Sequence, residues 1–588
     1  MNLIKPLSLI IIIAGILLGG CANLTRHDAN QTAAIALAAA SQDPGQSTVE
    51  LPGIELNQDL LFQLLTAEFA VKRGYYDVAL AAYMQLAVTT RDPRLAQKAT
   101  RVAIFSRDDV RALEAAKLWV ELESNNLEAR QAITAAYIRN GNPDAALEHM
   151  ESVLSLSSAD PDQAFMILAS LLSREQDLKT ALLVMDRFIE QRQDNPAALF
   201  AYSHLAVRAG ELDNAQDTIQ RVLKLKPDWV NAVVLRARIL QLQNKQQQAA
   251  EYLASAVKKF PKDLSLRMTY ARLLVDTQRY EEAVSQYEIA AQQSPEGGEV
   301  LFTLGLLSMQ LNRLEDAERY LNRVKQLNVR GNDVSFYLGR IEEVKENPQK
   351  ALEYYSSVSG GENYFEARIR IAVLIAHLGD MAEGRGLLQS LQTQFPSEKE
   401  RLVLIEGDML REAEFYDEAM AIYNSALVDL PGSKGILYAR AIAAEKLDRL
   451  DILEQDLTAI LKQDPDNVDA LNALGYTLAD RTNRYDEAYG YIKRALELKS
   501  QDNAILDSMG WVLYRLGQYT EAVKYLRQSL ELLADSEVAA HLGEVLWIMG
   551  DQKDAREIWE QALKLSPGDK VLLEVMERFG KTGIKDTP

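Results

Sequence analysis

Cys21 is the single thiol in a chain of 588 residues, and Gly19-Gly20 before it leave the backbone accessible beside a nucleophilic sulfur. One cysteine makes neither an internal disulfide nor a multi-thiolate zinc or iron–sulfur site. The five histidines, His27, His149, His204, His377 and His541, are spread along the chain, too far apart in sequence to suggest a metal cluster or a shared catalytic base. No G-x-S-x-G, H-E-x-x-H, Walker-type or G-x-G-x-x-G pattern occurs. Lys581-Thr582-Gly583 matches a β-lactamase tripeptide but has no companion motif, and Gly432-Ser433-Lys434-Gly435 lacks the spacing of a phosphate loop. Asp464, Asp466 and Asp469 have a calcium-loop look, yet Val468 holds a ligand position and no glycine follows as the sixth residue, so a capped turn is the expectation. No catalytic residue, metal or cofactor is expected, and the chain reads as a non-enzyme. With 64 basic and 84 acidic residues the formal charge is -20, which opposes binding to a phosphate backbone and sets nucleic acid aside.

What positions Cys21 is a leader. Lys5 is followed by a run from Leu7 to Leu18 that is apolar apart from Ser8 and Gly15, too short for a spanning helix of about 20 residues but suited to a signal-peptide core. Leu18-Gly19-Gly20-Cys21 resembles the lipobox of bacterial lipoproteins. The resemblance implies cleavage before Cys21, a diacylglycerol on its sulfur and a further acyl chain (palmitate) on its amine, with Ala22 favouring the outer membrane. Two or more chains anchor stably, because each buried methylene contributes about 0.8 kcal/mol. Residues 1–20 are thus a signal peptide. Residues 21–53 are then expected to be the lipidated cysteine and a flexible tether, with an alanine-rich stretch from Ala33 to Ala40 and then Pro44, Gly45 and Pro52-Gly53.

From residue 54 the chain repeats itself. A small residue recurs at Ala67, Ala103, Thr134, Ala169, Ser203, Ala237, Ala271, Gly305, Gly339, Ala372, Gly407, Ala441, Gly475, Gly510 and Gly543, a mean spacing of 34 residues over fifteen units. Around these marks stand Leu304-Gly305, Leu338-Gly339 and Leu474-Gly475. Later in each unit come pairs such as Ala283 with Tyr287, Ala351 with Tyr355, Ala419 with Tyr423 and Ala555 with Trp559. The pattern resembles the tetratricopeptide repeat (TPR). It implies an all-α TPR solenoid over 54–568, a right-handed superhelix of about fifteen helix pairs, ending in a closing helix and polar tail over 569–588. The physical expectation is that the small mark lets paired helices cross closely while the aromatic fills a groove against the next unit. The comb weakens at Ala103 and Ala372, and an extra residue before Ala488 predicts a distorted turn between Arg481 and Tyr485. Val571, Leu572, Val575, Met576 and Phe579 form the predicted inward stripe of the closing helix. No domain boundary is evident inside the array.

Function then rests on the first-helix face near the marks. Three residues before them stand Met166, Phe200, Val234, Met268, Phe302, Phe336, Ile369, Leu404 and Tyr438; after them come Arg238, Arg272 and Arg340, and further on Arg139, Arg174 and Arg208. One reading is a basic-edged apolar groove that grips a polypeptide. The other is an inter-helix core, with the late arginines answering helix C-terminal dipoles. A second candidate set is Asn472, Tyr476, Asp507, Trp511, Tyr514, His541, Glu544 and Trp547 in the last three units, binding material if exposed and packing if buried.

Leu471-Asn472-Ala473-Leu474-Gly475-Tyr476, Asp507-Ser508-Met509-Gly510-Trp511 and Ala540-His541-Leu542-Gly543-Glu544 resemble the large TPR outer-membrane lipoproteins of Gram-negative proteobacteria. That resemblance implies an adaptor that binds a periplasmic carboxyl-terminal processing protease and its cell-wall hydrolase substrates. The rival expectation is an assembly scaffold for an envelope machine such as a pilus or polysaccharide exporter.

Overall fold

The computed structural model describes residues 54–55, 57–157 and 161–582. The signal-peptide, Cys21 and tether assignments over 1–53, and the polar tail from 583, lie outside the described residues.

The described residues form 31 α-helices and no strand. They are arranged as fifteen antiparallel pairs followed by a single helix, Lys570–Thr582. The chain divides into two compact units, Met1–Arg330 and Gly331–Pro588. The repeat comb runs through this point without a break. Asn328 and Arg330, however, both take left-handed backbone conformations, and the connection there departs from the usual turn between pairs. The first unit holds eight pairs, from Gln58–Lys72 with Tyr76–Thr90 to Gly298–Gln310 with Leu314–Gln326. The second holds seven, from Gly331–Val344 with Pro348–Ser356 to Ser536–Ile548 with Gln552–Leu565, plus the last helix.

Local chemistry sets the helix ends. Most first helices are entered through Asp, Asn or Ser caps: Asn126 accepts from the Ala129 amide at 3.0 Å and Asn467 from the Ala470 amide at 3.0 Å. At the Asp464–Asn467 turn, Asp464 takes Lys434 at 2.9 Å and Asp466 takes Arg494 at 2.7 Å. These carboxylates serve a capped turn, as expected. Within every pair except the fourth and thirteenth, the chain reverses through one left-handed residue, from Gly74 to Gly550. In the thirteenth pair the extra residue is absorbed at Thr482, which is extended (φ -139°, ψ -178°).

All fifteen small marks are buried, including Ala103 and Ala372 where the comb weakens. A methyl group added at Gly305 would lie 2.8 Å from Leu321, at Gly339 2.8 Å from Tyr355, and at Gly510 2.5 Å from Leu526. The second-helix residue sixteen positions on therefore seats on its own unit's mark. This corrects the expectation that the aromatic chiefly fills a groove toward the next unit. Trp559 does both: it covers Gly543 and stacks on Phe579 of the last helix, ring centres 6.0 Å apart.

In that last helix Leu572 is fully buried and Val575, Met576 and Phe579 pack on the core, while Val571 points outward, against the predicted stripe. At the other end, Leu61, Phe62, Leu65 and Phe69 leave one side of Gln58–Lys72 apolar and exposed, Phe62 by 71%. Among the described residues no helix is long and apolar enough to cross a membrane.

Candidate functional site

In the first unit, the helices Leu127–Arg139, Pro161–Leu172, Pro196–Ala209 and Val230–Leu242 present their faces to a concavity of about 770 Å³. Met166, Leu171, Phe200 and Trp229 form its apolar lining and Arg174 its charged one, with Gln131 and Asn231 adding amides. The Phe200 and Trp229 rings lie 4.5 Å apart, so Trp229 completes the wall that Phe200 begins. Trp229 stands just before its helix, outside the periodic positions, which is why the comb does not reveal it.

The apolar stripe is not one continuous surface. Met166, Val234, Met268, Leu404 and Tyr438 are half-buried, and Phe200, though buried, forms part of the groove wall. Phe302 (4% exposed), Phe336 (5%) and Ile369 are packed inside. Phe336 lies against Tyr337 and Tyr355, and the guanidinium of Arg330 sits 4.8 Å from the Phe302 ring centre. These three belong to the core reading, because their own and neighbouring helices close over them.

The arginines also divide. Arg139 is committed to Glu175, a buried carboxylate, by two bonds of 2.7 and 2.8 Å. Arg174, Arg208, Arg238 and Arg272 are exposed and Arg340 half-buried, and none of these five forms an ion pair. Arg238 lies beside His204; partial burial and then this positive charge hold the imidazole below its ordinary value. Arg272 faces Asp276, whose carboxyl is raised by burial against the pull of that guanidinium.

In the second unit the polar and aromatic residues of the last three pairs come together. His541 Nδ1 is 2.9 Å from the Asp507 carboxylate, and its ring stacks on Trp511. Trp511 Nε1 donates to Asp480 at 3.2 Å, and Tyr476 Oη donates to Glu537 at 3.1 Å. Tyr514 Oη donates to Glu544 at 3.0 Å, and Glu544 also takes Arg578 of the last helix. Trp547 stacks with Trp559, with Arg556 over its face at 5.2 Å. Burial, and then Glu544, push the Tyr514 hydroxyl up to about 12. Burial and Glu537 raise Tyr476. For His541, burial favours the neutral ring, but Asp507, Glu537 and Glu544 outweigh it and the pKa is raised.

Asp507, Trp511, His541, Glu544 and Trp547 are buried, and Tyr476 and Tyr514 half-buried. The set therefore works mainly as packing. The Oδ1 of Asn472 is buried with no hydrogen-bond partner. Glu537, Asp480 and Arg578 complete the network and fall outside the positions singled out by the repeat. An Asp–His pair supplies two of the three members of a hydrolytic triad, but among the described residues no hydroxyl or thiol is hydrogen-bonded to His541.

A chain of stacked helical repeats that displays side chains along its first-helix faces has the extended surface typical of interaction scaffolds. Tetratricopeptide-repeat models match residues 135–196, 202–263, 270–328 and 438–503, and further ones match 240–289, 504–533 and 536–569. The TPR repeat-containing protein PA4667 of Pseudomonas aeruginosa is 39% identical over 540 residues, covering 91% of this chain and 90% of that protein. The chain belongs to the tetratricopeptide-repeat family. Among solved structures, yeast Tom70 aligns with 90% of this chain and 96% of its own at 15% identity and a TM-score of 0.32. A tetratricopeptide repeat protein from Parabacteroides merdae covers 42% of this chain and 99% of its own, at 14% identity and a TM-score of 0.36.

Proposed function

We propose that this chain is a non-catalytic, lipid-anchored scaffold on the periplasmic face of the outer membrane that binds protein partners, namely a periplasmic carboxyl-terminal processing protease and its cell-wall hydrolase substrates. The observation that carries the partner-binding reading is the first-helix groove, where an apolar wall of Met166, Phe200 and Trp229 stays open beside Arg174. Arg208 and Arg238, on the next two pairs, have no ion pair to satisfy them. Open apolar surface flanked by uncommitted charge is what a polypeptide segment needs for anchoring and for register. The bare side of the first helix, with Phe62 and Phe69, is a further surface for a partner. Anchoring rests on Cys21 and the lipobox resemblance; the adaptor role rests on the resemblance of the 471–476, 507–511 and 540–544 segments to adaptor lipoproteins.

The test is crosslinking in the intact envelope followed by identification of the bound proteins. A serine protease and its hydrolase substrates are the expected capture. A secretin or exporter complex without any protease would move the assignment to an assembly scaffold. Cys21→Ala should release the protein in soluble form, and retention in the membrane fraction would overturn the anchor.

A further inference from the structure

A different cleft, on the second-helix side of the sixth and seventh pairs, is built around a buried charge without a counter-ion. It encloses about 500 Å³ between helices Gln246–Lys259 and Tyr280–Gln293, with Leu264–Asp276 as its floor. Arg267 on that floor is 5% exposed. One of its terminal nitrogens donates to Gln286 at 2.8 Å and the other to the Pro261 carbonyl at 2.8 Å, while Nε has no partner. Both acceptors are neutral, so the guanidinium charge is solvated but not cancelled. A buried charge of this kind is costly unless an opposite charge is brought to it. Arg130, four residues before its mark as Arg267 is, spends its Nε on the Ser124 carbonyl. Arg267 keeps the donor left over, as Arg236 and Arg411 do with their own buried Nε atoms.

The other charges of the cleft leave a surplus. Arg279 and Glu282 neutralise each other through two bonds of 2.7 Å. Glu251, whose charge acts on Arg279, lines the cleft together with two further cations, Lys258 and Arg267, and Lys258 forms no ion pair. One positive charge remains, in a chain of formal charge -20. Ala254, Val257 and Ile289 supply an apolar wall beside it. We propose that this cleft binds the carboxylate side chain of an acidic residue on a protein partner, with an adjacent aliphatic side chain against the apolar wall. A single carboxylate balances the surplus of one. A phosphate dianion would overshoot it and meet Glu251 and Glu282 at the same mouth. The site rests on the reading that the chain binds proteins, but it is separate from the first-helix groove.

The experiment uses the purified full-length chain with a dye-labelled, end-blocked peptide Gly-Leu-Glu-Leu-Gly, its Gln counterpart and inorganic phosphate. The Glu peptide should bind about tenfold more tightly than the Gln peptide, as expected for a charge-assisted bond. Lys258→Glu, which reverses an exposed charge, and Ala254→Phe, which fills the cleft, should each remove that preference with the helical circular dichroism unchanged. Arg267→Met also breaks the bonds to Gln286 and Pro261, so the two other variants carry the test if it fails to fold. Equal binding of the two peptides, a Glu preference that survives Ala254→Phe, or displacement of the peptide by millimolar phosphate would each overturn the proposal. Recovery of a protein partner from the envelope alongside any of these results would leave the scaffold reading standing and remove only this site.

Discussion

The imidazole of His541 stacks on the indole of Trp511, with ring centres 4.2 Å apart and planes 25° from parallel. Asp507 approaches the same imidazole at 2.9 Å. The ring is thus wedged between an aromatic face and a carboxylate, and both histidine and aspartate are buried. Burial opposes the charged ring but the carboxylates win, so the folded state holds the His541 proton more tightly than an unfolded chain, whose value is about 6.5. This stabilisation is fully present below about pH 6.5 and fades as pH rises through the folded value. Asp507→Asn removes the ionised partner, and burial then drives the ring neutral. The variant should lose about 3–5 kcal/mol at pH 6, with the deficit narrowing as the pH climbs. Denaturant unfolding followed by tryptophan fluorescence across a pH series reads this, and a pH-independent deficit would count against it.

The periodic marks are legible in the sequence because close helix crossing leaves room for nothing larger, and that constraint acts within one unit. The same locality explains what the residues alone do not show. Glu406 is buried and held by Arg385 and Gln389 of the preceding second helix, both at 2.9 Å. Asp456 is 1% exposed and held by Arg440. Acidic residues on amphipathic helices normally face water, so spacing alone assigns both to the solvated side. The C-terminal set was visible as polar residues at marked positions. Its closure depends on Glu537 and Arg578, whose roles arise only from packing between pairs. The stripe three residues before the marks mixes groove and core for the same reason: one position along the repeat is open at Met166 and covered at Phe302.

Glycine marks should be intolerant of a single methyl group. At Gly339 and Gly510 an added Cβ would meet Tyr355 at 2.8 Å and Leu526 at 2.5 Å, both large residues fixed in the core. Gly339→Ala and Gly510→Ala should each cost about 1–3 kcal/mol by overpacking. Gly386 and Gly490 are also helical, but nothing lies within 4 Å of their added Cβ. Alanine there should stabilise by about 0.5–1 kcal/mol through backbone entropy. Opposite signs in parallel thermal melts are the expected result, and a gain at Gly339 would refute the close-crossing account.

The Arg440–Asp456 pair should be worth far more to break than a surface pair. Two bonds of 2.8 and 2.6 Å join the residues, and the Asp456 side chain is almost wholly enclosed. Asp456→Ala strands a largely covered guanidinium and should cost about 3–5 kcal/mol. Arg91 and Glu121 lie 2.8 Å apart, but both side chains are 60% exposed. Glu121→Ala should therefore change stability by less than about 1 kcal/mol. Denaturant titrations of the two variants side by side decide whether burial or mere proximity sets the scale.

The uncommitted arginines of the first unit should affect binding without affecting the fold. Arg174 and Arg238 are exposed and form no ion pair, so Arg174→Glu and Arg238→Glu remove no intramolecular partner and should shift stability by no more than about 0.5 kcal/mol. If a polypeptide lies along the first-helix groove, each reversal should weaken its binding several-fold, mainly by slowing association, and flatten the salt dependence of the affinity. Arg139→Glu is the contrasting variant: Glu175 is buried and depends on Arg139, so this reversal should destabilise the unit itself. Surface plasmon resonance with a partner recovered from the envelope, run at two ionic strengths, separates these effects. Unchanged affinity in the Arg174 and Arg238 variants, with the fold intact, would leave the groove without a role in recognition and shift attention to the bare apolar side of Gln58–Lys72.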